Sequence, residues 1–355
     1  MAILELISGA DIWMESAALR QLQSIAAYAH VSRVVGLPDL HPGRSPVGLA
    51  VVGEGHIYPY LIGGDIGCGL ALFASGIPVK KCRLEQWETR LNGIESFRDL
   101  PLEHPFADES PIDDLGSIGG GNHFIEFQAV AAIHDPQTYN SLELDDDAVL
   151  ILVHTGSRAF GPRILEAFGS ESGYALTEAH AEEYLRLHNQ ALVWAQRNRA
   201  LAAARILGAL GFAPRLKPCI DCVHNFMERR GNAVIHRKGA VSTLNGPVVI
   251  PGSRGTLTYI VKPNPATEHT AFSISHGAGR KWARTECRGR IGKRYDRNSI
   301  RRTALKSRVV CRDTDLLFEE APEAYKNITT VMQALADHGL IEVVATLRPL
   351  LTYKG

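Results

Sequence analysis

Glycine clusters set against short apolar runs restrict the folding of this chain more than any other feature. Gly63-Gly64, Gly119-Gly120-Gly121, the stretch from Gly252 to Gly255 and the stretch from Gly277 to Gly279 let the backbone turn sharply or approach a ligand closely. Between such breaks, Val47 to Val52 and Ala148 to Val153 are short, apolar and bounded by turn residues, and read as buried strands. Ala233 to His236, Pro247 to Ile250 and Leu257 to Val261 add further strands, with Asn245-Gly246 a turn between two of them. One long helix is predicted over Glu178 to Leu210, where Tyr184, Leu187, Ala191, Trp194 and Ala195 recur at three- and four-residue spacing and Thr177 stands at the cap position. A second helix is predicted over Glu323 to His338, followed by a strand over Ile341 to Leu347. Strands and helices mixed without regular alternation give an α+β fold, not a doubly wound sheet. No repeat or low-complexity linker divides residues 1–355, so one large domain is expected.

The composition, 45% hydrophobic and 21% charged, excludes disordered and fibrous classes. No run of about 18 apolar residues predicts a membrane span. The start, MAILELISGADIWMES, lacks a basic region and carries Glu5 and Asp11, unlike a signal peptide. A cytoplasmic location is therefore expected, with the six cysteines mostly as thiols. Net charge is zero, but its distribution is uneven. From Arg280 to Arg308 twelve Lys or Arg face only Glu286 and Asp296, so that segment is +10 and the remainder −10. Such a run suits phosphate backbones through counterion release; a solvated or salt-bridged face is the alternative.

The polar residues that carry chemistry stand at ends of apolar strands or inside glycine clusters. They are Asp65 and Cys68 in GGDIGCG, Asn122 and His123 in GGGNHFIEF, His154 in LVHTGSR, His224 in DCVHN and His276 in SHGAGR. Together they point to a metal site. Asp65 and Cys68 lie three apart, so one turn can aim both at one pocket, and a thiolate can bridge two cations. By ligand softness, a cysteine with three histidines suggests zinc first, while the carboxylate leaves manganese or iron open. Cys219-x-x-Cys222 lacks a second CxxC and reads as buried thiols. His276 differs, because Gly277-Ala278-Gly279-Arg280 after it form a nest for phosphate oxygens. It is either a nucleophile towards phosphorus or a residue that orients a metal ligand, and the residues alone leave both open.

The motifs GLPDLHPG, GGDIGCG, GSIGGGNHFIEF, HTGSR, HNF, HRKGA, PGS and HGAGR, with a terminal Lys-Gly, run in this order from Gly36 to the last residue. The set resembles the RtcB family of RNA ligases, and within it a compact branch associated with a release-factor-like partner. The resemblance implies a dinuclear manganese site ringed by mixed or antiparallel sheets, with Asp65, Cys68, His123, His154 and His224 as ligands and Cys68 as the bridge. It implies GTP as cofactor and His276 as the guanylylated nucleophile. Asn122 and Glu126 then contact the phosphate and the guanosine. Ser253, Gly277, Ala278, Gly279, Arg280, Tyr325 and Lys354 line the nucleotide pocket, and Arg237 and Lys238 hold phosphate. Two positions depart from the family pattern: Gly67 replaces an asparagine before the cysteine, and Arg254 replaces an apolar residue after PGS.

By this resemblance the chain joins RNA 3′-phosphate or 2′,3′-cyclic phosphate ends to 5′-hydroxyl ends, in repair more than in routine splicing. The basic run over about 280–308 would track the RNA. Two other classes compete. A dinuclear metallophosphoesterase acting on RNA termini needs neither HGAGR nor Lys354, and a non-catalytic RNA- or ribosome-associated factor does not need all five ligands.

Overall fold

The computed structural model describes residues 2–101, 114–169, 171–213 and 215–355, with strands and helices numbered in chain order. The largest sheet runs Val248–Pro251 (β11), Thr258–Pro263 (β12), Ile341–Lys354 (β15), Phe124–Ile133 (β5), Ala148–Thr155 (β6), Gly69–Pro78 (β4) and Lys217–Val223 (β7), and Arg308–Cys311 (β14) also pairs with β15. A second sheet runs Ile3–Leu6 (β1), Val31–His41 (β2), Val47–Glu54 (β3), Ala233–Lys238 (β9) and Asn225–Arg230 (β8). Ala240–Ser242 (β10) and Ser273–Ser275 (β13) form a two-stranded ribbon. Among the described residues only β1–β2 and β14–β15 pair in parallel. The fold is α+β, as expected.

The continuous apolar run of β6 is explained by burial on both faces. Leu150 and Leu152 enter one core with Leu70 and Leu72 of β4 and with Val35, Leu37, Ala50 and Ile235 of the second sheet. Val149, Ile151 and Val153 enter another core with Ala71 and Phe73. A strand covered on both sides has no polar face to alternate with. The second core is closed by the helices Leu84–Asn92 (α3), through Trp87 and Leu91, and Glu178–Ala209 (α6), through Ala202, Ala203, Ile206 and Leu207. On the second sheet, Ser16–Ala26 (α1) buries Ala18, Leu22 and Ile25 against Val34, Leu49 and Val51. Each large aliphatic side chain withdrawn from water this way contributes about 1.5–3 kcal/mol. The shorter helices Pro59–Ile62 (α2), Pro136–Ser141 (α4) and Phe160–Phe168 (α5) fill in around these layers, while Arg284–Ile291 (α7), Thr314–Glu319 (α8) and Ile328–Asp337 (α9) lie in the C-terminal part of the chain. No described helix is long and apolar enough to cross a membrane.

The long helix matches its expected span, but Thr177 does not cap it through its side chain. The Thr177 hydroxyl faces the His180 imidazole instead. The second expected helix begins later, at Ile328, where the Asn327 side chain accepts from the Thr329 amide. Before it, Tyr325 is extended and forms a bridge with Arg280, so helix cannot run through it. The terminal strand extends seven residues beyond Leu347, to Lys354. Asn245-Gly246 does turn the chain, but it joins β10 to β11 in a different sheet and makes no hairpin. All six cysteines are free. On β7, Cys222 is buried and Cys219, at a register shift of the strand, is half-buried, and both pack against the same core.

Candidate active site

Strand register brings the histidines together. In the order β5-β6-β4-β7, Phe124 pairs with His154, His154 with Leu70, and Gly69 with Val223. His123, His154, Cys68 and His224 therefore stand at one end of four neighbouring strands, whose spacing of about 4.8 Å suits convergence on small ions. The Cys68 sulfur lies 3.3 Å from Nε2 of His123 and 3.3 Å from Nε2 of His154. His154 Nε2 is 3.3 Å from His224 Nε2, and His123 Nε2 is 3.0 Å from Asp65 Oδ2. Two ligand groups result, Asp65–Cys68–His123 and Cys68–His154–His224, and they share the cysteine.

The donor chemistry fits a cation. Burial, reinforced by neighbouring positive groups, drives the pKa values of His154 and His224 well below the ordinary range, so both imidazoles are neutral. His123 Nδ1 lies 3.1 Å from the Ile118 carbonyl; with Nδ1–H donating there, Nε2 can bind a cation in place of its contact with Asp65. Burial and the charge of Asp65 push the Cys68 thiol up, and a bound cation would displace that proton. Burial also works against the Asp65 carboxylate, but His123, Cys68 and Arg158 together outweigh it and hold the pKa at about 2.

Arg199 braces this end of the sheet. It is fully buried, forms a bidentate pair with Asp221, and donates from Nη1 to the carbonyls of Gly67 and Thr155 at 2.8 and 3.0 Å. Gly67 leaves no void. Its φ is +75°, and a side chain there would meet the Ala195 Cβ at 2.8 Å, so α6 packs against the ligand loop where an asparagine would stand.

His276 follows β13 directly, and its ring centroid lies 4.6 Å from that of His224. Its Nδ1–H donates to Asp39 Oδ2 at 2.7 Å and its backbone amide donates to the same oxygen at 3.2 Å. The Nε2 lone pair is thereby left free. Asp39 is fully buried, yet the hydrogen bond and charge of His276 hold its pKa below the usual range despite that burial. Pairing between β2 and β3 jumps from Gly36↔Leu49 to His41↔Val47, which takes residues 37–40 out of the ladder. Lys326 Nζ then clamps the carbonyls of Pro38 and Leu40 on either side of Asp39. Gly279, at φ +70°, lets the nest pass so close to the Asp39 carbonyl that a side chain would collide with it.

One cavity of about 250 Å³ joins Asp65, Cys68, His154, His224 and His276 to Asn122, Glu126, Ser253, Gly277, Ala278, Gly279, Arg280, Tyr325 and Lys354. The Glu126 carboxylate accepts from Gln128 at 2.7 Å and from the Thr352 hydroxyl, and burial raises its pKa to about 7. Arg280 does not reach into the nest. It pairs with Glu320 at 3.0 Å and donates to Tyr325 Oη at 3.2 Å. Lys238 lines the cavity, but Arg237, its neighbour on β9, points to the opposite face and is fully buried against Glu228 and Ser273. Arg237 is thus a structural cation and not a phosphate holder. In the basic segment, Arg280 and Arg284 pair with Glu320, Arg288 with Asp315, Arg290 with Glu286, and Arg302 and Arg308 with Glu88. Lys293, Arg294, Arg297 and Lys306 remain exposed.

Sequence reasoning did not assign Asp39, Lys326, Glu320 or Thr352. For Asp39 a signal was present: a carboxylate inside the apolar run GLPDL is costly to bury unpaired.

Residues 93–355 match the family model described as tRNA-splicing ligase RtcB. The chain is 44% identical to RNA-splicing ligase RtcB2 of Escherichia coli over 98% of its own length and 95% of that protein. It is 28% identical to RNA-splicing ligase RtcB of Escherichia coli K12, covering 96% of this chain and 95% of the relative. The tRNA-splicing ligase RtcB of Nanoarchaeum equitans is 25% identical, with 92% and 88% covered. With a family match over most of its length and a close full-length relative, this chain belongs to the RtcB family of RNA ligases.

Proposed function

We propose that this chain joins an RNA 3′-phosphate, or a 2′,3′-cyclic phosphate once opened by water, to a 5′-hydroxyl through a GMP–His276 intermediate. The observation that carries the reading is His276, tied through Nδ1 to a buried carboxylate and set in one cavity with two ligand groups that share Cys68. The tie places the proton of the neutral ring on Nδ1, which leaves the Nε2 lone pair for attack. Nε2 attacks the α-phosphorus of GTP, a P–N bond forms, and the P–O bond to pyrophosphate breaks. The proton stays on Nδ1, where Asp39 stabilises the charged ring. An oxygen of the RNA 3′-phosphate then takes the GMP from His276, giving an anhydride and restoring the imidazole. Attack of the 5′-hydroxyl on the RNA phosphorus releases GMP. Two divalent cations, manganese by the family resemblance, would be held by Asp65, Cys68, His123, His154 and His224 and would supply Lewis-acid polarisation of phosphate oxygens. Backbone amides of residues 277–279 and Lys238 bind phosphate in this scheme, and the exposed Lys293, Arg294, Arg297 and Lys306 lead the RNA towards the cavity.

The test is covalent labelling. With manganese and GTP labelled at the α-phosphate, the parent acquires acid-labile label and His276→Ala does not. Absence of label with every divalent metal tried would sink the ligase mechanism and leave phosphate removal from RNA ends as the reading.

A further inference from the structure

Trp13 stands apart among the four tryptophans of the chain. Trp87 and Trp194 are buried, and Lys281 and Arg290 lie over the Trp282 ring, 4.9 and 5.0 Å from its centroid. Trp13 is 53% exposed, and no ring or cation stacks on it among the described residues. Local structure leaves it in water: the Ile12 amide donates to the Gly9 carbonyl at 3.1 Å, Ile12 packs on the main core, and α1 begins at Ser16. An indole left exposed forgoes one of the largest apolar contributions a side chain can make, and its flat face stays open to a ligand.

The surroundings say which ligand. Trp13 lines a cleft of about 740 Å³, together with Lys281, Trp282 and Arg290 and with Lys326 and Asn327 ahead of α9. Residues 280–284 divide this cleft from the catalytic cavity: Arg280 and Arg284 line the cavity, and Lys281, Trp282 and Ala283 line the cleft. The Ala324 carbonyl accepts from the Lys281 amide at 2.9 Å and holds the divide in place. Charge in the cleft is balanced, with Asp11, Glu15 and Glu286 against Lys281, Arg290 and Lys326. A smaller cleft shares Trp282 and Arg290 with it and adds Lys293, Arg294 and Tyr295 against Glu323 alone, so it is cationic. An aromatic cleft of no net charge beside a cationic one matches the two parts of a nucleotide, a flat neutral base and its phosphate.

We propose that this cleft takes an unpaired base of the substrate RNA close to the ends being joined, stacked on Trp13, while a neighbouring phosphate meets Lys293 and Arg294. The proposal rests on the reading of the chain as one that joins RNA ends. Trp13 lies outside residues 93–355, the part that matches the family model. Every base has a π face, so stacking is tolerant of sequence, and the site holds a strand in place without choosing its bases. Trp13 touches no reacting atom and acts as a positioning residue.

The test is fluorescence-anisotropy titration of the full chain with short single-stranded RNAs, one ending in a 3′-phosphate and one in a 5′-hydroxyl. Each is also made with a single abasic nucleotide, moved position by position away from that end. The parent is expected to lose about tenfold in affinity at one abasic position, within the worth of one stacked base, and the strand that responds is the one seated in the cleft. Trp13→Ala should bind intact RNA about tenfold more weakly and lose that response, whereas Trp13→Phe should keep most of both. A merely structural role of Trp13 would lower affinity and keep the positional response, and that result overturns the proposal. Parental affinity in Trp13→Ala also overturns it and leaves a protein partner as the occupant of the cleft. A parent indifferent to abasic nucleotides at every position overturns it even if the alanine variant does not fold. Labelling of parent His276 with GTP, run alongside, separates the outcomes: label without an abasic response refutes only the cleft, whereas no label refutes the reading beneath it.

Discussion

Replacing Asp39 with Asn tests the heart of the site. Asp39 Oδ2 holds both Nδ1 and the backbone amide of His276, at 2.7 and 3.2 Å, in full burial. A hydrogen bond to a charged partner is worth about 1.5–3 kcal/mol, which corresponds to a slowing of about 10- to 150-fold. The amide adds a second effect. If its NH₂ group turns towards Nδ1, the imidazole must carry its proton on Nε2 and loses its nucleophilic lone pair, a defect that costs about 10⁴-fold in a comparable serine-protease triad. We therefore expect guanylylation of Asp39→Asn to be slower by about 10²- to 10⁴-fold. The assay is single-turnover incorporation of α-labelled GTP at saturating nucleotide, with GMP affinity and urea stability measured in parallel. Nucleotide affinity should stay near that of the parent, since Asp39 faces His276. A variant labelled at nearly the parental rate would refute the argument that this carboxylate sets the tautomer.

Cys68 is common to both ligand groups, so Cys68→Ala should lose most of the manganese measured by mass spectrometry, whereas His224→Ala should keep the ion at the Asp65 group. Unchanged metal content in Cys68→Ala would refute the shared-ligand geometry. Arg199→Met leaves Asp221 and the carbonyls of Gly67 and Thr155 unpaired; we expect a loss of about 3 kcal/mol in urea unfolding together with weaker metal binding, and an unchanged midpoint would contradict the bracing role. Burial lifts the Glu126 carboxyl from 4.5 to about 7 in the folded protein. The folded state thus holds this proton more tightly, and the associated stability is present below pH 4.5 and lost as pH rises through about 7. Glu126→Gln removes that loss. Its stability relative to the parent should therefore improve by on the order of 2–3 kcal/mol between pH 5 and pH 8, and a pH-independent difference would refute the assignment.

Local sequence determined much of this protein. Ala148 to Val153 reads as a buried strand because no polar residue interrupts it, and periodicity placed the long helix over Glu178 to Leu210, one residue past its end at Ala209. The chemistry at the strand ends was legible as well. Asp65, Cys68, His123, His154 and His224 stand in glycine-flanked positions, and the structure brings their donor atoms together. Where local rules failed, a distant partner had intervened. Tyr325 pairs with Arg280 instead of continuing a helix, and half of the basic run is neutralised by acids that include Glu88 and Glu320, far away in sequence. Motif reading could not tell Arg237 from Lys238, because only the pleat of β9 decides which of two neighbours faces the cavity.

The pairing of Asp39 with His276, across 237 positions, could only come from tertiary structure. It depends on an irregularity between β2 and β3, on a glycine without which the nest would collide with that strand, and on a lysine from beyond the nest that clamps it. Sequence dictated which residues could do chemistry, because residue type sets softness, charge and proton affinity. Tertiary packing decided which of them act, because burial and partners across the fold choose the tautomer, the charge state and the direction in which each group points.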